Sequence, residues 1–304
     1  MKKSNTVPGK LLIGAHLSAA GGADIAFDRA EKLGCTAMQI FLSNARQWKP
    51  PVINQDTQTL FLRKQKNTGI MPIAHASYLI NCASQNPEVR KNSLRLLAAE
   101  FETCGMLGIS RYVLHPGNQG GQEKTLAIRA AAGIIDEAIE MSKNTNTTLL
   151  LETTASPQKS IGGTFEDLKA VMDTCTQKTR LAVCLDTCHV FQAGWDIRSE
   201  DGCHAMFAEF DRILGLPLLQ CIHLNDAKAP FGRGLDRHEH IGEGEIGLKA
   251  FSFIMRDARF RNVPKCIETP KSKDDTNDLL NLSILIALLQ RKRVPRGQFK
   301  PRDT

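Results

Sequence analysis

Six short apolar runs in this 304-residue chain stop on a side chain able to ligate a metal. PIAH ends on His75, YVLH on His115, LLLE on Glu152, VCLD on Asp186, QCIH on His223 and KCIE on Glu268. An imidazole or carboxylate buried there without a partner is costly. One such end alone reads as a satisfied core histidine or a helix N-cap; six of them read as one shared site. Three more candidates follow closely: His189, three residues past Asp186 in LDTCH, and Asp236 with His238 in DRH. In an extended DxH the two side chains project to the same face, so both reach one ion. The nine candidates are five His, two Asp and two Glu, a mix that suits zinc, with manganese or iron as alternatives. They exceed one tetrahedral site and fit two or three ions if a carboxylate bridges. Paired ions lower the pKa of a water and stabilise an in-line phosphoryl displacement, phosphodiester cleavage among them. Sugar isomerisation through a metal-bound enediol is the other use of such a site.

The elements that must position these residues show as an alternation. Apolar runs lie near 11–17, 37–42, 71–75, 112–115, 148–152, 181–186, 219–224 and 265–268, and each gap holds a stretch with helical periodicity. Gly34 and Gly108 close two of these helices. Eight strand–helix units with continuously apolar strands predict a parallel sheet covered on both faces. Their number and the chain length predict an α/β fold, a (β/α)₈ TIM barrel in a single domain, in which strand C-termini converge on one face. An open doubly wound sheet is the alternative, but the first loop, HLSAAGG, lacks both GxGxxG and GxxxxGK[ST]. His16 ends the first run on the same rim, in a supporting or substrate-facing place. His204 reads as exposed on a helix, His240 as a loop-packing or supporting residue, and Cys188 as packed.

The composition, 42% hydrophobic and 23% charged, excludes collagen, long disorder and coiled coil. LLNLSILIALL (279–289) is too short to span a bilayer, so no membrane association is expected. No secretory signal follows the N-terminus, and nine scattered Cys lack any CxxC, which predicts reduced thiols and a cytoplasmic protein. The net charge is +7, but residues 291–304 carry +5 and residues 1–10 carry +3, so the body is near neutral. The expected organisation is a basic N-terminal segment (1–10), a barrel domain (11–290) and a basic C-terminal tail (291–304) that is solvated and frayed.

The words around the nine residues are similar to those of the endonuclease IV family of apurinic/apyrimidinic (AP) endonucleases. They are GAHLSAAGG, FLSNARQW, HASYLIN, LHPG, LETTA, CLDTCHVFQAGWDI, HLNDAK, DRHEHIGEGEIG and IETPK, spread over residues 13–271. The resemblance implies a zinc-dependent DNA repair hydrolase of base excision repair. It would cleave duplex DNA 5′ to an abasic site through a metal-activated hydroxide, leaving a 3′-hydroxyl and a 5′-deoxyribose phosphate. Removal of blocking groups from 3′ ends is implied as well. It implies three zinc ions per chain, with manganese possible at one site. His75, His115 and Glu152 would hold the first ion. Glu152 would bridge to the second, which also takes Asp186, His223 and Glu268. His189, Asp236 and His238 would hold the third. Glu152 and Glu268 are the catalytic carboxylates on this reading. Asn44 and Arg46 in FLSNARQW, with Tyr78 and Leu79 in HASYLIN, would contact the DNA, the Arg, Tyr and Leu at the lesion itself. A monomer is expected. Gln192, Trp195 and Ala227 depart from the usual family residues and touch no expected ligand. A metal-dependent sugar isomerase or epimerase on the same barrel is the alternative function. It has no evident need for the His189, Asp236 and His238 trio or for Arg46 and Tyr78.

Overall fold

The apolar runs fold as eight parallel strands in a computed structural model that describes residues 11–142, 146–295 and 297–299. The basic segment 1–10, and residues 296 and 300–304 of the tail, lie outside the described residues. The barrel strands are β1 (Ile13–Ala15), β2 (Ala37–Phe41), β3 (Met71–His75), β4 (Arg111–Leu114), β5 (Thr148–Glu152), β6 (Leu181–Asp186), β7 (Leu219–His223) and β10 (Lys265–Ile267). Two short strands, β8 (Asp226–Ala227) and β9 (His238–Glu239), stand apart from them. The helices are α1 (Ile25–Lys32), α2 (Gln55–Thr68), α3 (Pro87–Met106), α4 (Lys124–Met141), α5 (Phe165–Thr174), α6 (Thr187–Gln192), α7 (Glu200–Ile213), α8 (Leu248–Arg256) and α9 (Thr276–Leu289). Gly34 and Gly108 follow α1 and α3 with φ of +68° and +63°, the left-handed stop expected of them.

The sheet runs β1-β10-β7-β6-β5-β4-β3-β2, every pair parallel. Its two ends then meet. Leu17 N donates to Gln39 O at 2.7 Å and Thr36 N to Ile13 O at 2.8 Å, which brings β1 beside β2 and completes the barrel. Gly14 permits that seam, because a Cβ there would stand 1.7 Å from Ala37 O. β1 is accordingly shorter than the 11–17 run, and His16 joins Gln39 only as an isolated bridge. Strands β4 and β10 stop one residue early, so His115 and Glu268 sit just past their strands.

Inside the barrel lie Ile73, Val113, Leu150, Ala182, Cys184, Cys221 and Cys266, a small-to-branched filling that packs the lumen solid. A larger core lies between sheet and helices, with Phe27, Phe61, Phe101, Phe207, Phe210 and Phe251 buried in it. All nine cysteines are buried and free. Among the described residues no helix is long and apolar enough to cross a membrane.

Candidate metal centre

The C-terminal rim gathers all nine candidates. His75, Glu152, Asp186 and His223 close their own strands, and His115 and Glu268 come one residue later. His189 enters on α6, whose N-cap is Asp186: Asp186 Oδ1 accepts from His189 N at 3.0 Å. Asp236 and His238 arrive on the connection after β7. The sequence suggests a plain loop there. Instead, β8 and β9 form a small antiparallel ladder, Ala227 opposite His238, that holds the DRH segment in place.

The donor atoms fall into three groups. His75 Nε2 and His115 Nε2 lie 3.2 and 3.0 Å from Glu152 Oε2. The other oxygen, Glu152 Oε1, is 2.9 Å from His223 Nδ1, which is also 3.4 Å from Glu268 Oε2 and 3.8 Å from Asp186 Oδ2. Asp236 Oδ1 stands 3.1 Å from His189 Nε2 and 3.2 Å from His238 Nε2. Glu152 thus divides its two oxygens between two groups, the placement a bridging carboxylate needs. Each group can hold a divalent cation.

Two observations fit these groups to cations. Two ligands about 2.0–2.1 Å from a tetrahedral ion are separated by about 3.3 Å, close to the spacings above. The second concerns the imidazoles. His75 Nδ1 donates to Ala76 O (2.8 Å), His189 Nδ1 to Thr153 O (2.7 Å) and His238 Nδ1 to Glu268 O (3.2 Å). A carbonyl only accepts, so the proton sits on Nδ1 and each Nε2 presents a lone pair to the cluster. His189 Nε2 and His238 Nε2 are buried and make no hydrogen bond, although Asp236 is close. These are lone pairs and carboxylate oxygens converging on a common point. Without a cation, charge balance falls to the imidazoles. Burial disfavours charge on His238, yet Asp186 and Asp236 outweigh it and lift its pKa to about 9. His189 is raised by the same neighbours, against burial. Burial would raise Glu152, but His223 and His115 hold it well below the usual carboxylate range.

A model of the family described as "Xylose isomerase-like TIM barrel" matches residues 27–287. The probable endonuclease 4 of Chloroflexus aurantiacus is 41% identical over 278 residues, 91% of this chain and 98% of its own length. The chain belongs to the endonuclease IV family. The crystal structure of endonuclease IV from Thermus thermophilus superposes with a TM-score of 0.81 at 31% identity, covering 92% of this chain and 99% of that one. A D-tagatose 3-epimerase-like protein has a TM-score of 0.70 at 16% identity over 92% of this chain, a likeness of fold alone. The family's chemistry is this chain's chemistry: metal-activated phosphodiester hydrolysis of the AP-endonuclease type.

Beside the cluster is a cleft of about 530 Å³, lined by Arg46, Tyr78, His115, Lys228, Arg237 and Glu268 among others. Of the four residues expected to meet DNA, Arg46 and Tyr78 line this cleft, Asn44 lines a second cleft with His16 and Phe41, and Leu79 follows Tyr78. Asn44 and Arg46 are exposed, and Asn44 Oδ1 accepts from Arg46 N at 3.0 Å, which shapes the turn. Tyr78 is 66% exposed, its ring edge-on to Phe41 at 5.0 Å, and Leu79 is half-buried beside it. His16 lines the neighbouring cleft with Arg46, Tyr78 and Glu268; burial lowers its pKa to about 4, so it is neutral at pH 7. His204 is exposed, as expected. Cys188 Sγ turns to Arg237 O at 3.6 Å.

The residues that hold the candidates in place carry little signal in the sequence. Gln39, fully buried in β2, donates from Nε2 to Glu268 Oε1 at 2.6 Å. Its Oε1 therefore faces His223 Nε2 (2.8 Å), which leaves His223 Nδ1 as the free donor atom. Asn225 Nδ2 donates to Asp186 Oδ2 (2.6 Å) and its Oδ1 accepts from Glu268 N (2.7 Å). Asp226 accepts from Ala227, Gly242 and Ile246 N at 2.8–2.9 Å and so folds the HIGEGEIG segment around itself. A polar residue inside an apolar run was the available signal for Gln39. The tail also departs from its expectation. Val294 and Phe299 pack against the core, and Phe299 stacks on His240, ring centroids 3.8 Å apart and planes 2° from parallel.

Proposed function

We propose that this chain is a zinc-dependent DNA repair endonuclease that cuts duplex DNA 5′ to abasic sites, leaving a 3′-hydroxyl and a 5′-deoxyribose phosphate, and that also clears blocked 3′ ends. The observation that carries this reading is the division of Glu152 between two donor groups, with a third group beside them, all at the foot of a cleft edged by Arg46 and Tyr78. On this reading His75, His115 and Glu152 hold one ion; Glu152, Asp186, His223 and Glu268 a second; His189, Asp236 and His238 a third. When bound, such ions lower the pKa of a water and stabilise the charge that builds on phosphate oxygens; manganese can replace zinc at one site.

The chain's own residues do the rest. Arg46 enters the minor groove at the lesion, and Tyr78 and Leu79 fill the space a missing base leaves, where unstacking is cheapest. Asn44 fixes the turn that presents Arg46. Glu152 and Glu268 are the catalytic carboxylates: Glu152 would share its two oxygens between two ions and Glu268 would complete the donor set of the second, with Gln39 holding the Glu268 side chain and Asn225 its backbone. The third donor group and the two groove loops favour this over sugar isomerisation, which uses neither. The nine free thiols agree with a cytoplasmic enzyme. It acts as a monomer, with residues 11–290 as the catalytic domain between two basic ends.

The test is a 5′-labelled duplex with one tetrahydrofuran abasic analogue. The expected result is a nick 5′ to the lesion whose 3′ end a polymerase extends, abolished by a strong chelator and restored by zinc. A product with an unextendable end, or turnover of a ketose instead of DNA, overturns the reading.

A further inference from the structure

Glu100 is a carboxylate on the inner face of α3, 0% exposed and far in sequence from both groove loops. Three donors meet it. Ser43 Oγ, from the first loop, donates to Oε1; Tyr112 OH (2.5 Å) and Ser77 N (3.3 Å), the latter from the second loop, donate to Oε2. Ser77 then ties the loops to each other: its hydroxyl donates to Ala45 O at 3.1 Å and accepts from Leu79 N at 3.3 Å. The same helix holds the far end of the first loop, where Arg95 Nη2 donates to Trp48 O at 2.8 Å. None of these groups belongs to the three donor clusters. A buried carboxylate with several donors is a rigid point in low dielectric, so loops sharing it are fixed relative to one another.

We infer that Glu100 is a positioning residue for lesion recognition: one buried carboxylate sets the spacing between the Asn44–Arg46 turn and the Tyr78–Leu79 wedge. The inference rests on the reading of those four residues as DNA contacts. Its mechanical part, that Glu100 holds the two loops together, does not.

The experiment uses the full-length, zinc-loaded protein and compares Glu100→Ala with Glu100→Gln. The amide can reproduce all three bonds, with oxygen in place of Oε2 and nitrogen donating to Ser43 Oγ. In the Ala variant, amide exchange over residues 43–48 and 77–80 should quicken together by about tenfold or more. The Kd for a tetrahydrofuran duplex should rise by about tenfold or more, because the two loops lose their preorganisation. Zinc content, kcat and affinity for undamaged duplex should stay within about twofold. The Gln variant should return all of these to near wild type. Unchanged exchange in the Ala variant, a Gln variant as impaired as Ala, or parallel loss of zinc and kcat overturns the inference. Should the Ala variant not fold, Ser43→Ala cuts only the first loop's bond, and unchanged exchange at 43–48 overturns it equally. A wild-type protein with no preference for abasic duplex defeats the functional reading instead, while the exchange data still decide the role of Glu100.

Discussion

Gln39 carries no charge and binds no candidate ion, yet it orients two of the nine ligand candidates. Its amide hydrogen holds Glu268, and its amide oxygen fixes the proton of His223 on Nε2. Gln39→Leu keeps the volume but strips buried His223 Nε2 of its acceptor and leaves Glu268 Oε1 with His16 alone, and loss of such a support typically weakens metal affinity by roughly 10–100-fold. Zinc retained after dialysis against a weak chelator should fall accordingly, with the circular dichroism unchanged; full retention would contradict the assignment. At this scale the ligand candidates were legible and their supports were not. A His, Asp or Glu that ends an apolar run advertises an unmet polar need. Gln39 and Asn225 show their purpose only beside partners such as Glu268, 229 residues from Gln39 along the chain.

The barrel strands were legible because each is an apolar run with a helix between it and the next. The shortest elements were not: α6 with six residues and β8 and β9 with two each are below the length at which a period can be recognised. They matter most to the site, since α6 delivers His189 and β9 delivers His238. The tail differs from its expectation for a related reason. Its six basic residues suggest solvation, and nothing local reveals that Phe299 has the flat face of His240 to stack on. The seam between β1 and β2 supplies the test at this scale. Gly14→Ala drives a methyl into Ala37 O, and because backbone cannot yield as a side chain does, we expect a loss of about 3 kcal/mol or more in urea unfolding, or no soluble protein. A change below about 0.5 kcal/mol, the range of neutral surface substitutions, would mean that β1 and β2 are not in close contact at Gly14.

The molecule as a whole separates a rim given to chemistry from a floor given to stability. Lys265 marks the floor: it is 1% exposed, and its ammonium donates to Phe260 O (2.5 Å) and Val263 O (2.8 Å). Burial lowers its pKa from 10.5 to about 8. Between those values the unfolded chain binds the extra proton, so this lysine's contribution to stability rises with pH from about 8 to 10.5. The stability difference between wild type and Lys265→Met should therefore grow in favour of wild type over that window, by up to about 3 kcal/mol. Parallel stability–pH curves for the two proteins would contradict this. The rim carries the larger claim, that residues dispersed from position 75 to 268 form one polynuclear centre. Its most direct measurement is zinc titration of metal-stripped protein, with bound zinc counted by elemental analysis and abasic-duplex nicking followed in the same samples. Nicking is expected to appear as occupancy approaches about three zinc per chain, one for each donor group. Saturation at a single ion with full activity, or no zinc uptake by the folded protein, would contradict it.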